Sequence, residues 1–313
     1  MNLDTRKHLR ANLLMLFAAM IWGSAFVAQR LSLDVIGPFL FTGLRFLLGA
    51  GVVLVLMAFL RPAAAAVLPA SQTLQEPVAR KPRAWLAPGV LLGLVLAVSI
   101  SLQQIGLRYT LVANAGFISS LYVVIVPLIG VVLRHQTGIG TWLGALLAAV
   151  GMYFLSVNEH FSIQYGDWYQ LAGAVLISGQ VMLVGHFARR HDPLVLALVQ
   201  FVTCGLVCLL TGLVCEPVHL ADLVRAAPTI LYGGALSVGI AYTIQVVAQK
   251  DAAPAHAAVI FSMEGVFAAL AGWLVLGETL APRALLGCGL MLTGLIVCQV
   301  MPAWVKRRQA SFG

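Results

Sequence analysis

The sequence predicts an all-α, polytopic membrane protein with about ten transmembrane helices, arranged as an inverted 5+5 structural repeat. Three observations carry this expectation. Charged residues make up 10% of the 313 and hydrophobic ones 61%, whereas a soluble domain carries roughly 25% charge because its surface faces water. The apolar residues gather into stretches of about 18 to 25, each long enough to cross a ~30 Å hydrocarbon core at 1.5 Å per residue. The second half of the chain also repeats the pattern of the first at a near-constant offset.

Apolar runs bounded by charge, Pro and Gly place the first five helices at 12–30, 37–60, 86–107, 111–133 and 139–156. The run after Arg6, Lys7 and Arg10 exceeds the usual length of a signal-peptide core and has a counterpart later in the chain. It is therefore read as a span, although Ala25 and Ala28 resemble a small-residue cleavage site. The second five helices fall at 167–188, 193–215, 228–249, 255–277 and 283–302. Pro38, Pro88, Pro193, Pro228, Pro254 and Pro282 stand at or just before helix starts, where a missing N–H costs nothing. Pro127 lies deep inside the fourth helix. Trp85, Trp142, Trp168, Trp273 and Trp304 sit near helix ends, as amphipathic rings do at headgroups, and Trp22 is mid-helix.

Topology follows from the loops. With the N-terminus inside, cytoplasmic segments hold Arg6, Lys7, Arg10, Arg61, Arg80, Lys81, Arg83, Arg134, Arg189, Arg190, Lys250, Lys306, Arg307 and Arg308. Outer segments hold Arg30, Arg108, Arg225 and Arg283. This bias predicts a multi-pass plasma (cytoplasmic) membrane protein with both termini cytoplasmic. The net charge of +8 thus reports topology rather than a nucleic-acid partner. The Ala- and Pro-rich connection 61–85 reads as a mobile cytoplasmic loop.

A shift of 142 residues places Gln103 on Gln245, Ala115 on Ala257, Ile118 on Ile260, Ser120 on Ser262 and Gly130 on Gly272. After a one-residue change of offset, Gly144 falls on Gly287 and Gly151 on Gly294, and at the start of each half a separate alignment places Phe46 on Phe201. The domains are therefore a first repeat, 12–156, and a second, 167–302. Five helices is an odd number, so the two halves enter the membrane in opposite senses. Inverted repeats of this kind hold the substrate near the midplane, at the interface between halves.

WGSAFVAQR, LRFLLGA, ANAGFISSLYVVIVPLI and FSMEGVFAALAGWLVLGETL resemble the EamA-type transporters of the drug/metabolite transporter superfamily, over about residues 12–300. The resemblance implies ten helices, an inverted repeat, and export or exchange of small metabolites such as amino acids. One departure is Gly265, where the family often has Pro after the glutamate, so the kink expected there falls to glycine flexibility.

Charged groups inside a membrane are costly and mark functional sites by default. Arg45 and Glu264 qualify. Counted from the helix starts they lie about 12 Å and 13.5 Å deep from opposite faces, within about 5 Å of each other in depth. Both are candidates for a coupling or structural charge. The candidate substrate-binding residues are Trp22, Ser24, Gln103, Ser120, Tyr122, Gln180, Tyr242, Gln245 and Glu264. Polar residues concentrate in helices 1, 3, 4, 6, 8 and 9 and are nearly lacking in helices 5 and 10. They either wall a cavity or glue helices together. His186 and His256 read as interfacial or capping histidines. The five cysteines have no zinc-type spacing, so no metal or cofactor is expected.

The expected function is a secondary transporter working by alternating access. The alternative is a channel-like or non-transporting membrane protein, although no filter-like loop or charged ring is present. No HExxH, Gly-x-Ser-x-Gly or paired intramembrane aspartates suggest an enzyme. The expected partners are a small-molecule substrate and the lipid bilayer, with a homodimer compatible and no nucleic acid.

Overall fold

The computed structural model describes residues 3–67, 85–110, 112–134, 138–156, 165–277 and 282–311. The protein is all-helical across them. Helices α1 (Leu3–Ser32), α2 (Pro38–Val67) and α3 (Leu86–Leu107) are continuous, whereas α4 is two pieces, Val112–Ser120 and Tyr122–Val132. Next come α5 (Ile139–Ser156), α6 (Tyr165–Phe187) and α7 (Pro193–Cys215). Helix α8 begins as Leu220–Leu231, passes through a π-helical stretch, Tyr232–Tyr242, and ends as Thr243–Ala248. Helix α9 is again two pieces, Pro254–Phe261 and Glu264–Leu276, and α10 is Pro282–Ser311. Among the described residues, 8 helices are long and apolar enough to span a membrane, and α5 and α10 carry shorter apolar stretches, Ile139–Phe154 and Leu285–Cys298.

Four boundaries differ clearly from expectation, two of them because α1 begins at Leu3 and α10 runs to Ser311. Helix α8 starts at Leu220, so Pro228 lies inside it rather than at its start. Asp222 and Arg225 interrupt the apolar run that guided the reading, yet they sit on one helical face and pair at 3.7 Å. Helix α2 continues to Val67, and the remaining part of the expected loop, 68–84, lies outside the described residues.

Polarity is inverted relative to a water-soluble protein. Gln104, Gln170, Gln180, Gln200 and Gln249 are fully buried, whereas Leu210, Val214 and Leu274 are 62%, 84% and 71% exposed. Side chains that hydrogen-bond gather inside and leucines face outward, because hydrocarbon offers no hydrogen bonds.

Exchanging α1–α5 for α6–α10 maps the main helix neighbours onto one another. The pair α3 and α6 corresponds to α8 and α1, and α3 with α7 to α8 with α2. Likewise α1 with α9 corresponds to α6 with α4, while α2–α7, α4–α9 and α5–α10 map onto themselves. The correspondence reaches individual contacts. A Cβ on Gly144 would lie 2.7 Å from the Gly294 carbonyl, and one on Gly151 would lie 2.6 Å from that of Gly287. Phe46 and Phe201, which the alignment pairs, touch with ring centroids 6.0 Å apart.

The breaks in α4 and α9 fall at Leu121 and at Ser262–Met263, positions the 142-residue offset aligns. Local bonding explains them. Leu121 N–H donates to the Ile118 carbonyl and Met263 N–H to that of Ile260, three residues back rather than four. Ser120 Oγ donates to the Gly116 carbonyl at 2.7 Å and Ser262 Oγ to that of Val259 at 2.8 Å. Serines bonding back in this way compete with the backbone ladder and bend helices. The two breaks meet because neither side projects a side chain: a Cβ on Gly116 would lie 2.9 Å from Ala268 Cβ, and one on Gly265 3.2 Å from Ser120 Oγ. Gly265 thus serves close approach immediately after the bend.

Candidate functional site

A small cavity lined mostly by buried side chains sits where the two broken helices meet. Its lining comprises Trp22, Phe26 and Gln29 of α1, Arg45 of α2, Ile100 and Gln103 of α3 and Tyr122 of α4. The second half adds Ile177 and Val181 of α6, Ser237, Tyr242 and Gln245 of α8, and Phe261 and Glu264 of α9. These are the six helices in which polar residues concentrate, together with α2. Water-accessible space is ≈ 40 Å³, room for about three waters at ~10–15 Å³ each.

Helical spacing sets which side chains face inward. Trp22, Phe26 and Gln29 stand at i, i+4 and i+7, one stripe of α1. On α8 the i→i+5 bonding of the π-helix brings Ser237 and Tyr242, five residues apart, to the same side. Tyr122 and Glu264 are the first residues after the two breaks, so each bend delivers one polar side chain to the cavity.

An aromatic wall closes one flank. Trp22 lies 4.7 Å from Tyr242 and 5.1 Å from Phe261, centroid to centroid, and its Nε1–H donates to the Ser237 carbonyl at 3.3 Å. Arg45 is 2% exposed. Its guanidinium lies 5.2 Å from the Phe41 ring centroid and 5.3 Å from that of Phe46, contacts in which the ring faces offset part of the cost of burying the cation.

Arg45 and Glu264 line the same cavity but form no ion pair with each other. The Tyr122 hydroxyl lies beside the Glu264 carboxyl without a well-formed hydrogen bond. Arg45 Nε, Tyr122 Oη and Gln245 Oε1 are buried with no protein partner. Buried polar atoms in proteins are nearly always satisfied; here atoms outside the cavity, among them both amide atoms of Gln200, also lack a protein partner, and within the cavity these three present two donors and an acceptor to whatever enters it.

Three of the expected site residues stand outside the lining. Ser24 Oγ pairs with the Tyr232 hydroxyl and donates to the Met20 carbonyl. Ser120 bends α4 through its bond to Gly116. Gln180 stands behind the wall, where its Oε1 accepts from Gln245 Nε2 at 3.2 Å. These three act as glue rather than lining. Phe26, Gln29 and Phe261 were not singled out from sequence, although the spacing from Trp22 marks the first two.

The side of the cavity remote from the N-terminus is closed by packed polar contacts. Gln104 Nε2 donates to the Gln29 carbonyl at 3.2 Å, Gln170 Nε2 to that of Gln103 at 2.7 Å, and Thr110 Oγ1 to Asp167 Oδ1 at 2.6 Å. Toward the other side, α4, α6 and α9 also line a larger vestibule of ≈ 480 Å³. His256 stands there, bonded to Asn12 Oδ1 at 3.1 Å and to Cys298 Sγ at 3.2 Å. His186 also lines it. No group of three or more metal-ligating side chains occurs among the described residues.

Comparison with known proteins agrees with this architecture. The EamA-like transporter family matches the chain twice, over residues 9–157 and 164–298. An uncharacterized transporter of Archaeoglobus fulgidus is 31% identical over 300 residues, covering 93% of this chain and 86% of its own. The uncharacterized transporter YwfM of Bacillus subtilis is 26% identical over 312 residues, with 96% and 97% covered. A protein solved by crystallography shares the fold, with a TM-score of 0.71 at 20% identity over 95% of this chain and 98% of that one.

Proposed function

The chain belongs to the EamA-like transporter family, and on that premise we propose that this multi-pass membrane transporter moves a small metabolite, an amino acid or related compound, by alternating access. It is read as an exporter of the cytoplasmic membrane with both termini in the cytoplasm. The observation that carries the reading is the buried cavity at the paired helix breaks, where both halves contribute unpaired polar groups. Discontinuous helices at an interface between repeats are the usual setting of a carrier's substrate site. The symmetric neighbour pattern of the halves supports a second packing in which the closed and open sides exchange.

In this reading the described state is occluded, with the outer side sealed and the vestibule on the cytoplasmic side. A solute larger than a few waters enters only when the helices around the cavity part. Arg45 and the Gln245 and Tyr122 dipoles hold polar ends of the solute, and the Trp22, Tyr242 and Phe261 rings hold its apolar part. Glu264 is the coupling group. A lone carboxylate mid-membrane costs several kcal/mol, so it is protonated or paired in each state, and its uptake and release of a proton link solute movement to the proton gradient.

The test is a stability screen of the purified protein against amino acids and related metabolites, followed by counterflow of the stabilising compound in liposomes. A carrier accumulates label transiently above the external level against an unlabelled internal pool. Simple equilibration with no overshoot would identify a channel and overturn the proposal.

A further inference from the structure

The vestibule of ≈ 480 Å³ lies between the two halves. It adjoins the buried cavity along three helices: Tyr122 is followed by Val126 on α4, Val181 by Met182 on α6, and Phe261 is preceded by His256 on α9. Its charged lining is of one sign. Arg134 ends α4, and Arg189 and Arg190 follow α6; no Asp or Glu lines it among the described residues. The Arg189 guanidinium donates to the neutral Ala252 carbonyl at 3.3 Å. Among the described residues, the side chains of Arg134 and Arg190 have neither an ion pair nor a hydrogen bond.

The nearest acids in sequence, Asp192 and Asp251, do not line the vestibule. Asp192 accepts from Leu194 N–H and Val195 N–H, capping α7, and Asp251 is exposed on the turn before α9. Arg134 adopts a positive φ of 57°, a conformation in which few non-glycine residues sit. It terminates α4 at the vestibule rim.

We propose that this vestibule is an anion-binding entrance: the transported solute carries a carboxylate or phosphate, and the three arginines collect it on the cytoplasmic side before it passes to the buried cavity. This rests on the carrier reading given above. The three arginines are exposed at the vestibule, and cations of one sign gathered in a concave site focus their field and concentrate counter-ions. The guanidinium fork then matches a carboxylate or phosphate in a bidentate manner. The inner cavity adds Arg45, which forms no ion pair, although the Glu264 carboxyl lines the same cavity. A simple organic cation meets three repelling charges on the same route.

The charge of the vestibule is measured without knowing the solute. Ala255 lines it and is half-buried, so Ala255→Cys supplies a reporter thiol. The exposed Cys215 is replaced by Ser, and modification at position 255 is followed by mass spectrometry. The two probes are the anionic sulfonatoethyl and the cationic trimethylammonium-ethyl methanethiosulfonates. Their rate ratio is normalised to that of a small free thiol.

The expected ratio favours the anion at least about tenfold at low salt, collapses toward one in 1 M salt, and falls when Arg134→Gln and Arg190→Gln are combined. A ratio of one or less, or one that the neutralised variant leaves unchanged, overturns the proposal. Thr141→Cys, also on the lining, repeats the measurement if Ala255→Cys does not fold. Nanodiscs of phosphatidylcholine and of phosphatidylglycerol separate the sources of the anion. An anion preference that vanishes with phosphatidylglycerol assigns the arginines to lipid headgroups and overturns the solute entrance. Persistence in both supports it. None of these readouts requires transport, so a failed vestibule leaves counterflow intact, and a failed counterflow leaves the measured charge intact.

Discussion

Replacing Trp22 with Ala removes the element that joins α1 to both α8 and α9 at the cavity. The indole forms one hydrogen bond to the Ser237 carbonyl at 3.3 Å, worth about 1 kcal/mol. It also packs on Tyr242 at 4.7 Å and Phe261 at 5.1 Å, contacts worth about 0.5–1.5 kcal/mol each. The sum is about 2–4 kcal/mol, overlapping the range of about 3–5 kcal/mol for Trp→Ala in packed interiors. Because the lost ring also walls the cavity, counterflow should fall further than expression or folded yield. Trp22→Phe keeps a ring in place and loses the N–H, so its destabilisation should be about 1 kcal/mol. The assay is thermal unfolding in detergent alongside counterflow at matched protein amounts. Trp168→Ala is the control, since Trp168 is 60% exposed on the outside of the bundle. Normal counterflow by Trp22→Ala, or an equal loss in Trp168→Ala, would refute the placement of α1 in the pathway.

Three further outcomes are expected. Glu264→Gln should fold normally, because the carboxyl makes no ion pair that an isosteric amide would break. It should lose pH-driven transport while counterflow survives; normal pH-driven uptake by a well-expressed variant would remove Glu264 as the coupling group. Glu216 follows α7 and accepts from Phe39 N–H at 2.8 Å and Leu40 N–H at 2.7 Å, capping α2, so Glu216→Ala should cost about 2 kcal/mol in thermal unfolding and Glu216→Gln, which keeps one acceptor, about half of that. An unchanged melting temperature in the Ala variant would show that the cap contributes nothing. A reporter fused to the C-terminus should show cytoplasmic-type activity, and periplasmic-type activity would overturn the even helix count and with it the opposite orientation of the halves.

The membrane character, the helix count and the repeated pattern were legible in the sequence because each depends on single segments. A spanning helix satisfies its own backbone, so length and apolarity identify it without knowledge of its neighbours. Arg45 and Glu264 were legible for a related reason: ionised side chains are expensive anywhere in hydrocarbon. Gln29 could have been found from its spacing to Trp22, but the polar clusters in α3, α4 and α6 could not be sorted. Ser24, Ser120 and Gln180 have the same composition signal as Gln103 and Gln245, yet they bond within or between helices while the others face the cavity. Which role a polar group takes depends on helix rotation and on what the facing helix offers, and neither is encoded within one span. Tertiary packing alone decided the meeting of the two breaks, through the small surfaces of Gly116 and Gly265. It likewise decided the π-helical turn that brings Ser237 and Tyr242 to one side, and left Arg45 and Glu264 unpaired in one cavity although their depths alone would have allowed a bond.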